Sequence, residues 1–145
     1  MAILVDTNIL LRLAQKNHVH SATALRAVEA LLKNQIDLVF LSQNVVEFWA
    51  VATRPVAANG LGLTAEQTLE ELSELDESID MLQELPVHME WLRLVTKYRV
   101  SGKNVHDARL VAAMIVHGVQ QILTFNGADF ARYAEISVLD PAQIA

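Results

Sequence analysis

Four carboxylates occupy positions where an acid is costly unless something stabilises it. Asp6 ends the apolar run Ala2 to Val5 and is followed at once by Thr7, Asn8 and a second apolar run. Glu47 lies between Val46 and Phe48, beside Trp49, in a stretch that is apolar nearly all round. Asp107 stands ahead of "ARLVAAMIV", and Asp129 comes just after "ILTF". Acids are rarely buried unless they are paired or bind a metal. Singly, each has a plain explanation. Asp6 can cap a helix starting near Asn8, Glu47 can close a capping box with Asn44, and Asp107 and Asp129 suit helix N-termini. As a set they are candidates for one cluster. Two carboxylates about 4 Å apart repel by roughly 1 kcal/mol in water and roughly 4 kcal/mol at an effective dielectric near 20. Four converging acids therefore need a cation, and only Arg109 lies next to any of them in sequence. A hard divalent ion with oxygen ligands, Mg²⁺ or Mn²⁺, meets that need. Such a centre suits in-line attack on a phosphodiester. One ion would leave an acid free to act as general base, and two would neutralise all four. The sequence leaves both arrangements open.

The elements that must position these acids alternate between strand and helix. "AILV" and "IDLVFLS" are continuous apolar runs of the kind buried on both faces of a parallel sheet. "VQQILTF" and "ISVL" are two later strands, and "LPV" is a candidate short one. Helical spacing is present from Ile9 to Ala14, and through "HSATALRAVEALLKN" with Ser21 as its expected N-cap. "NVVEFWAVATRP" reads as a buried helix that Pro55 ends. Thr64 and Gln67 form a capping box ahead of a helix that places Leu69, Leu72, Leu75, Ile79 and Leu82 on one face. "HMEWLRLVTKYRV" is amphipathic, and Gly118 is placed to close the helix that carries Asp107. "NGADFARYA" reads as a turn and a short helix. The pattern predicts one α/β domain spanning 1–145, with a central, mainly parallel sheet of about four or five strands. Sites in such folds form at the carboxyl ends of strands, which is where Asp6 and Asp129 fall.

Composition narrows the class further. With 145 residues and no Cys, the chain has enough length for a core and has neither a disulfide nor a thiolate metal site. No apolar run reaches the roughly 20 residues of a membrane span, and there is no signal-peptide pattern, so a cytoplasmic, membrane-free protein is expected. The net charge of −6 is unevenly placed. Nine acids and no Lys or Arg lie between Pro55 and Leu92, while the remainder carries 11 basic residues against 8 acidic ones. This argues against simple non-specific nucleic-acid binding and leaves room for a basic surface away from the acidic segment.

"VDTNILLRL", "SQNVVEFWAVATRP", "HDARLVAAM" and "LTFNGADFAR" together resemble the PIN-domain family, and more narrowly its VapC-type branch of toxins from type II toxin–antitoxin pairs. The resemblance runs over nearly the whole chain. It implies a three-layer α/β/α sandwich and a metal-dependent endoribonuclease. It implies that Asp6, Glu47, Asp107 and Asp129 hold Mg²⁺ or Mn²⁺, with Asn8 and Asn126 near the metal or orienting the acids. Thr7 would donate a hydrogen bond to a carboxylate, and the plain alternative for Asn126 is a turn residue before Gly127. It further implies an RNA substrate, a cognate antitoxin and a homodimer. A non-cleaving RNA-binding or regulatory module on the same fold is the alternative.

Arg109, Lys103 and Arg99 flank the proposed site elements as weaker candidates for RNA phosphate contacts. Arg109 is also placed to pair with an acid in the absence of metal. Trp91 and Tyr98 are candidates to stack on a base, and the plain alternative is inward packing, the usual place for lone aromatics on amphipathic helices. The five His show no zinc-ligand spacing. Two other phosphoryl-transfer classes fit poorly. A haloacid-dehalogenase-like phosphatase wants a second Asp where Asn8 stands, and a response-regulator receiver wants a late-strand Lys that "ISVLDPAQIA" lacks.

Overall fold

The computed structural model describes residues 1–144. Five strands, β1 (Ala2–Val5), β2 (Asp37–Phe40), β3 (Asp80–Met81), β4 (Gln121–Leu123) and β5 (Ser137–Leu139), form one sheet in the order β3-β2-β1-β4-β5. Every pairing is parallel. Six helices surround it: α1 (Thr7–Ala14), α2 (Ser21–Lys33), α3 (Ser42–Thr53), α4 (Ala65–Asp76), α5 (His88–Lys97) and α6 (Asn104–His117). The α/β expectation and the strand count therefore hold.

Period-two alternation divides the strands between two cores. Ile3 and Val5 of β1, Leu38 and Phe40 of β2 and Leu123 of β4 face one core, which α1, α2 and α3 complete with Ile9, Leu10, Ala27, Val28 and Phe48. Leu4, Val39 and Ile122 face the other, covered by Leu94 of α5 and by Leu110, Val111 and Met114 of α6. This makes three layers, with the central strands wrapped on both sides. Among the described residues no helix is long and apolar enough to cross a membrane.

Two local readings need correction. The helix from Thr64 does not continue to Leu82; it ends at Asp76, and β3 follows. Its last turn carries acids and no basic residue, which opposes the negative end of the helix dipole. Its inward stripe runs through buried Thr68 with Leu72 and Leu75, so Leu69 is left outside. "LPV" is not a strand either. Pro86 has no N–H to give a ladder, and the short strand "DM" pairs with β2 instead. Other expectations needed smaller adjustment. Ser21 is the first residue of α2 rather than a side-chain cap. "NGADFARYA" forms a 3-10 turn at Gly127–Asp129 followed by further turns, with no α-helix. Gly118 closes α6 in the left-handed region at φ 73°.

The loop after α3 folds back on that helix, with Leu61 N–H donating to Val51 O and Leu63 N–H to Ala52 O. Gly60 makes this possible. A Cβ there would lie 2.0 Å from the Arg54 carbonyl oxygen, which is backbone and has no rotamer to yield. Gly60→Ala is expected to lower stability by about 2 kcal/mol, in the range of overpacking substitutions, read by urea unfolding. An unchanged midpoint would show that the loop reseats freely.

Candidate active site

Asp6 directly follows β1, and its N–H donates to Leu123 O at 3.0 Å, continuing the β1–β4 ladder by one residue. The carboxylate is thus mounted on the two central strands at their carboxyl ends. It also caps α1, accepting from Thr7 N–H at 2.8 Å. The capping explanation is correct as geometry, but it accounts for only one of the two oxygens. The other, Oδ2, accepts from the Thr124 hydroxyl at 2.7 Å and from Asn8 Nδ2 at 3.3 Å.

Neighbouring polar groups lock this arrangement. Asn8 Nδ2 also donates to Thr124 Oγ1 at 3.0 Å, while its Oδ1 accepts from Phe125 N–H at 3.2 Å. Asn126 N–H donates to the same Thr124 oxygen at 3.0 Å. Thr7 donates to Glu47 Oε1 at 2.9 Å and accepts from buried Asn44 Nδ2 at 3.1 Å. Asn44, in turn, closes the start of α3 by accepting from Leu41 N–H. The cap therefore rests on the single bond between Leu41 N–H and Asn44, which leaves Glu47 free of the capping role.

All four acids line one open pocket of about 260 Å³, together with Thr7, Asn8 and Asn126. They arrive from four places in the chain: the end of β1, the middle of α3, the first turn of α6 and the turn after β4. Their ionisation reflects this. Burial, with the Glu47 and Asp129 charges adding to it, pushes the Asp6 carboxyl up to about 6 against the hydrogen bonds from Thr124 and Thr7. Asp107 is likewise pushed up to about 6, by burial and then by Asp129 and Asp6. Glu47 is raised by burial and by Asp107. Asp6, Glu47 and Asp107 are each raised in part by the charge of at least one other acid of the pocket.

The donor set suits a hard divalent cation, since every candidate ligand is a carboxylate or amide oxygen and the clustered negative charge calls for compensation. Among the described residues no three Asp, Glu or His side chains stand close enough, as placed, to share an ion. The four acids share a pocket without forming a closed ligand cage.

The basic candidates are placed differently. Arg109 does not pair with an acid; its Nη1 donates to Gln43 Oε1 at 3.1 Å. One helical register explains it: Arg109 leaves α6 toward α3 rather than toward the acid pocket, and it lines the adjoining cavity beside Glu47. Lys103 precedes α6, and exposed Arg99 sits in the turn after α5 at φ 53°. Neither lines the acid pocket. Arg132, unmentioned by the sequence patterns, is close enough to Asp107 to oppose the rise of its pKa. Thr124 was missed as well. Its signal was a polar residue ending the apolar strand "QIL" beside Asp6's own strand, and the β1–β4 pairing that gives it meaning is not local in sequence.

Gln43 links the two acid-bearing helices. It accepts from Arg109, and its Nε2 donates to His106 O at 2.8 Å, next to Asp107. It also lies one turn before Glu47.

The chain matches the PIN domain over residues 3–136. It belongs to the PIN domain family. No curated protein sequence matches it. Among solved structures, this PIN domain is similar to VapBC2 from Rickettsia felis bound to a DNA fragment from its promoter, with a TM-score of 0.72 at 16% identity over 96% of this chain and 98% of that one. It is equally similar to VapBC-1 from nontypeable Haemophilus influenzae, with a TM-score of 0.72 at 16% identity over 99% and 100% of the two chains. VapC20 of Mycobacterium tuberculosis, described as a toxin that cleaves the sarcin–ricin loop, gives 0.64 at 18% identity over 92% and 98%. At these identities the likeness shows the fold.

Thr124→Val in this PIN domain keeps the side-chain volume but removes the donor to Asp6 and the acceptor for Asn8 and Asn126. Loss of such an outer partner is expected to weaken Mn²⁺ binding by about tenfold, measured by calorimetry. An unchanged affinity would mean that Thr124 is only a strand-end polar residue.

Proposed function

We propose that this PIN domain is a Mg²⁺- or Mn²⁺-dependent endoribonuclease, the toxin of a type II toxin–antitoxin pair. One observation carries the reading: four acids from separate elements line a single pocket at the carboxyl ends of β1 and β4. The likeness to VapBC and VapC20 structures supports the toxin assignment and a cognate antitoxin; a cytoplasmic setting and a homodimer belong to the same proposal.

Asp6, Glu47, Asp107 and Asp129 would hold the ion. When bound, it would lower the pKa of a water and stabilise phosphoryl oxygens as they gain charge. The chain's own residues set the conditions. Thr124, Asn8 and the Thr7 N–H orient both oxygens of Asp6. The Thr7 hydroxyl, held from behind by Asn44, turns Glu47 into the pocket. With Asp6 and Asp107 both near 6 in the metal-free protein, taking up the ion would displace any proton these carboxyls hold, so binding strengthens as pH rises through that range.

The test is incubation of purified protein with total RNA in Mn²⁺ or Mg²⁺, with EDTA as control. Discrete fragments that disappear in EDTA are expected, and their ends would identify the substrate. RNA left intact in both metals, by protein shown to bind Mn²⁺, would favour the non-cleaving RNA-binding module.

A further inference from the structure

The acid pocket does not end at Glu47. That residue also lines a second cavity of about 540 Å³ with Gln43, Val46, His106 and Arg109. His106 and Arg109 then pass into a third, also about 540 Å³, walled by Pro86, His88, Trp91 and Val105. Shared residues place the three side by side, from the acids to the start of α5.

The far cavity differs in character from the acid pocket. Among the described residues no Asp or Glu lines it, whereas Arg109 does, beside His88 and His106. Its aromatic wall is held in place. The Trp91 indole N–H donates to Val105 O at 2.9 Å, so the ring is tied to the first turn of α6. The His88 ring lies 6.1 Å from it at an interplanar angle of 31°. Arg109 is fixed from the other side by Gln43. A cation and a pre-oriented aromatic ring in one cavity are what an unpaired base with its phosphate requires, and fixing them beforehand reduces the ordering cost of binding. The volume falls within the roughly 300–1,000 Å³ of small-ligand sites.

We infer that the cavity walled by His88, Trp91, Val105, His106 and Arg109 is a subsite for one unpaired nucleobase of a single-stranded RNA whose backbone passes the acid pocket. The inference rests on the ribonuclease reading. Trp91 supplies the stacking face and Arg109 the phosphate contact. A second copy of the chain is the competing occupant. The adjacency to the acid pocket and the Arg109 guanidinium in the lining favour the RNA strand.

The test uses fluorescence anisotropy with a fluorescein-labelled, randomised single-stranded RNA pool and an abasic RNA of the same length, with Ca²⁺ present. Cleavage of total RNA in Mn²⁺ is followed in parallel. Trp91→Ala is expected to weaken binding of the base-bearing pool by about tenfold and Trp91→Phe by less than about threefold. Neither should alter binding of the abasic RNA, whereas Arg109→Gln should weaken both. Should Trp91→Ala fail to fold by circular dichroism, Trp91→Phe and Arg109→Gln carry the comparison. Trp91→Ala binding like wild type, or losing abasic RNA equally, would overturn the subsite while leaving a cleaving enzyme intact. Conversion of a dimer to a monomer by Trp91→Ala in gel filtration would also overturn it, by assigning the cavity to contacts between copies. Wild-type protein that neither binds nor cleaves RNA would remove the ribonuclease reading and the subsite with it.

Discussion

Asp6→Asn and Asp107→Asn are each expected to lower RNA cleavage in Mn²⁺ by about 10²–10⁴-fold, the range for loss of a group acting directly on the reaction, while the protein stays folded. Asn is nearly isosteric with Asp and still offers Thr7 N–H an acceptor, so the cap on α1 survives. What it loses is the charge. Asp107 makes the stronger comparison, because it is half-buried in the first turn of α6 and holds no cap. Equal losses from both would show that the acids act as one unit although they are about a hundred residues apart in sequence. Cleavage within about threefold of wild type for either variant, against that range, would remove the residue from the site.

The same pocket is expected to make stability fall as pH rises, in the absence of divalent metal. Asp6 titrates at about 6 in the folded protein and at 3.8 as an unperturbed group. Between those values the folded state holds a proton that the unfolded state has released, so stability is greatest below about pH 4 for this group and declines until about pH 6. Above that the difference is constant and amounts to about 3 kcal/mol for Asp6. Asp107 acts in the same direction, and its exposure to solvent reduces the contribution. Asp6→Asn should therefore stabilise the metal-free protein at pH 7.5 and do so far less at pH 4.5, read as urea midpoints. Part of the gain is offset, because the Asn amide nitrogen in place of Oδ2 accepts from neither Thr124 nor Asn8. Saturating Mn²⁺ should raise the wild-type melting temperature, and the same concentration should raise that of Asp6→Asn by less. An Asp6→Asn gain that is the same at both pH values would show that the buried carboxylate is not under charge strain.

Much of this was readable along the chain. β1, β2, β4 and β5 are short apolar runs, and the expected elements carrying Asp6, Glu47 and Asp107 formed where the pattern placed them. The acids stood out because charge interrupts apolar stretches, a local signal. What could not be read depends on partners distant in sequence. Thr124 matters only because β4 lies beside β1. Asn44 looked like a cap and is one, yet it also buttresses Thr7 from 37 residues away. Arg109 looked like an acid's neighbour because it lies two positions after Asp107, but that spacing on a helix turns it toward Gln43. The helix after Thr64 was overextended because Ile79 and Leu82 continue its apolar period even though the backbone has already left it at Asp76. Periodicity alone does not register the acids at that helix's carboxyl end.

Calorimetric titration of the metal-free protein with Mn²⁺ at pH 7.5, for wild type, Asp6→Asn and Asp107→Asn, tests most directly whether the four acids form one metal centre. Saturable binding by wild type, weakened at least about tenfold in both variants, is the expected result. Wild-type protein that takes up no Mn²⁺, or binding that neither substitution weakens, would contradict it.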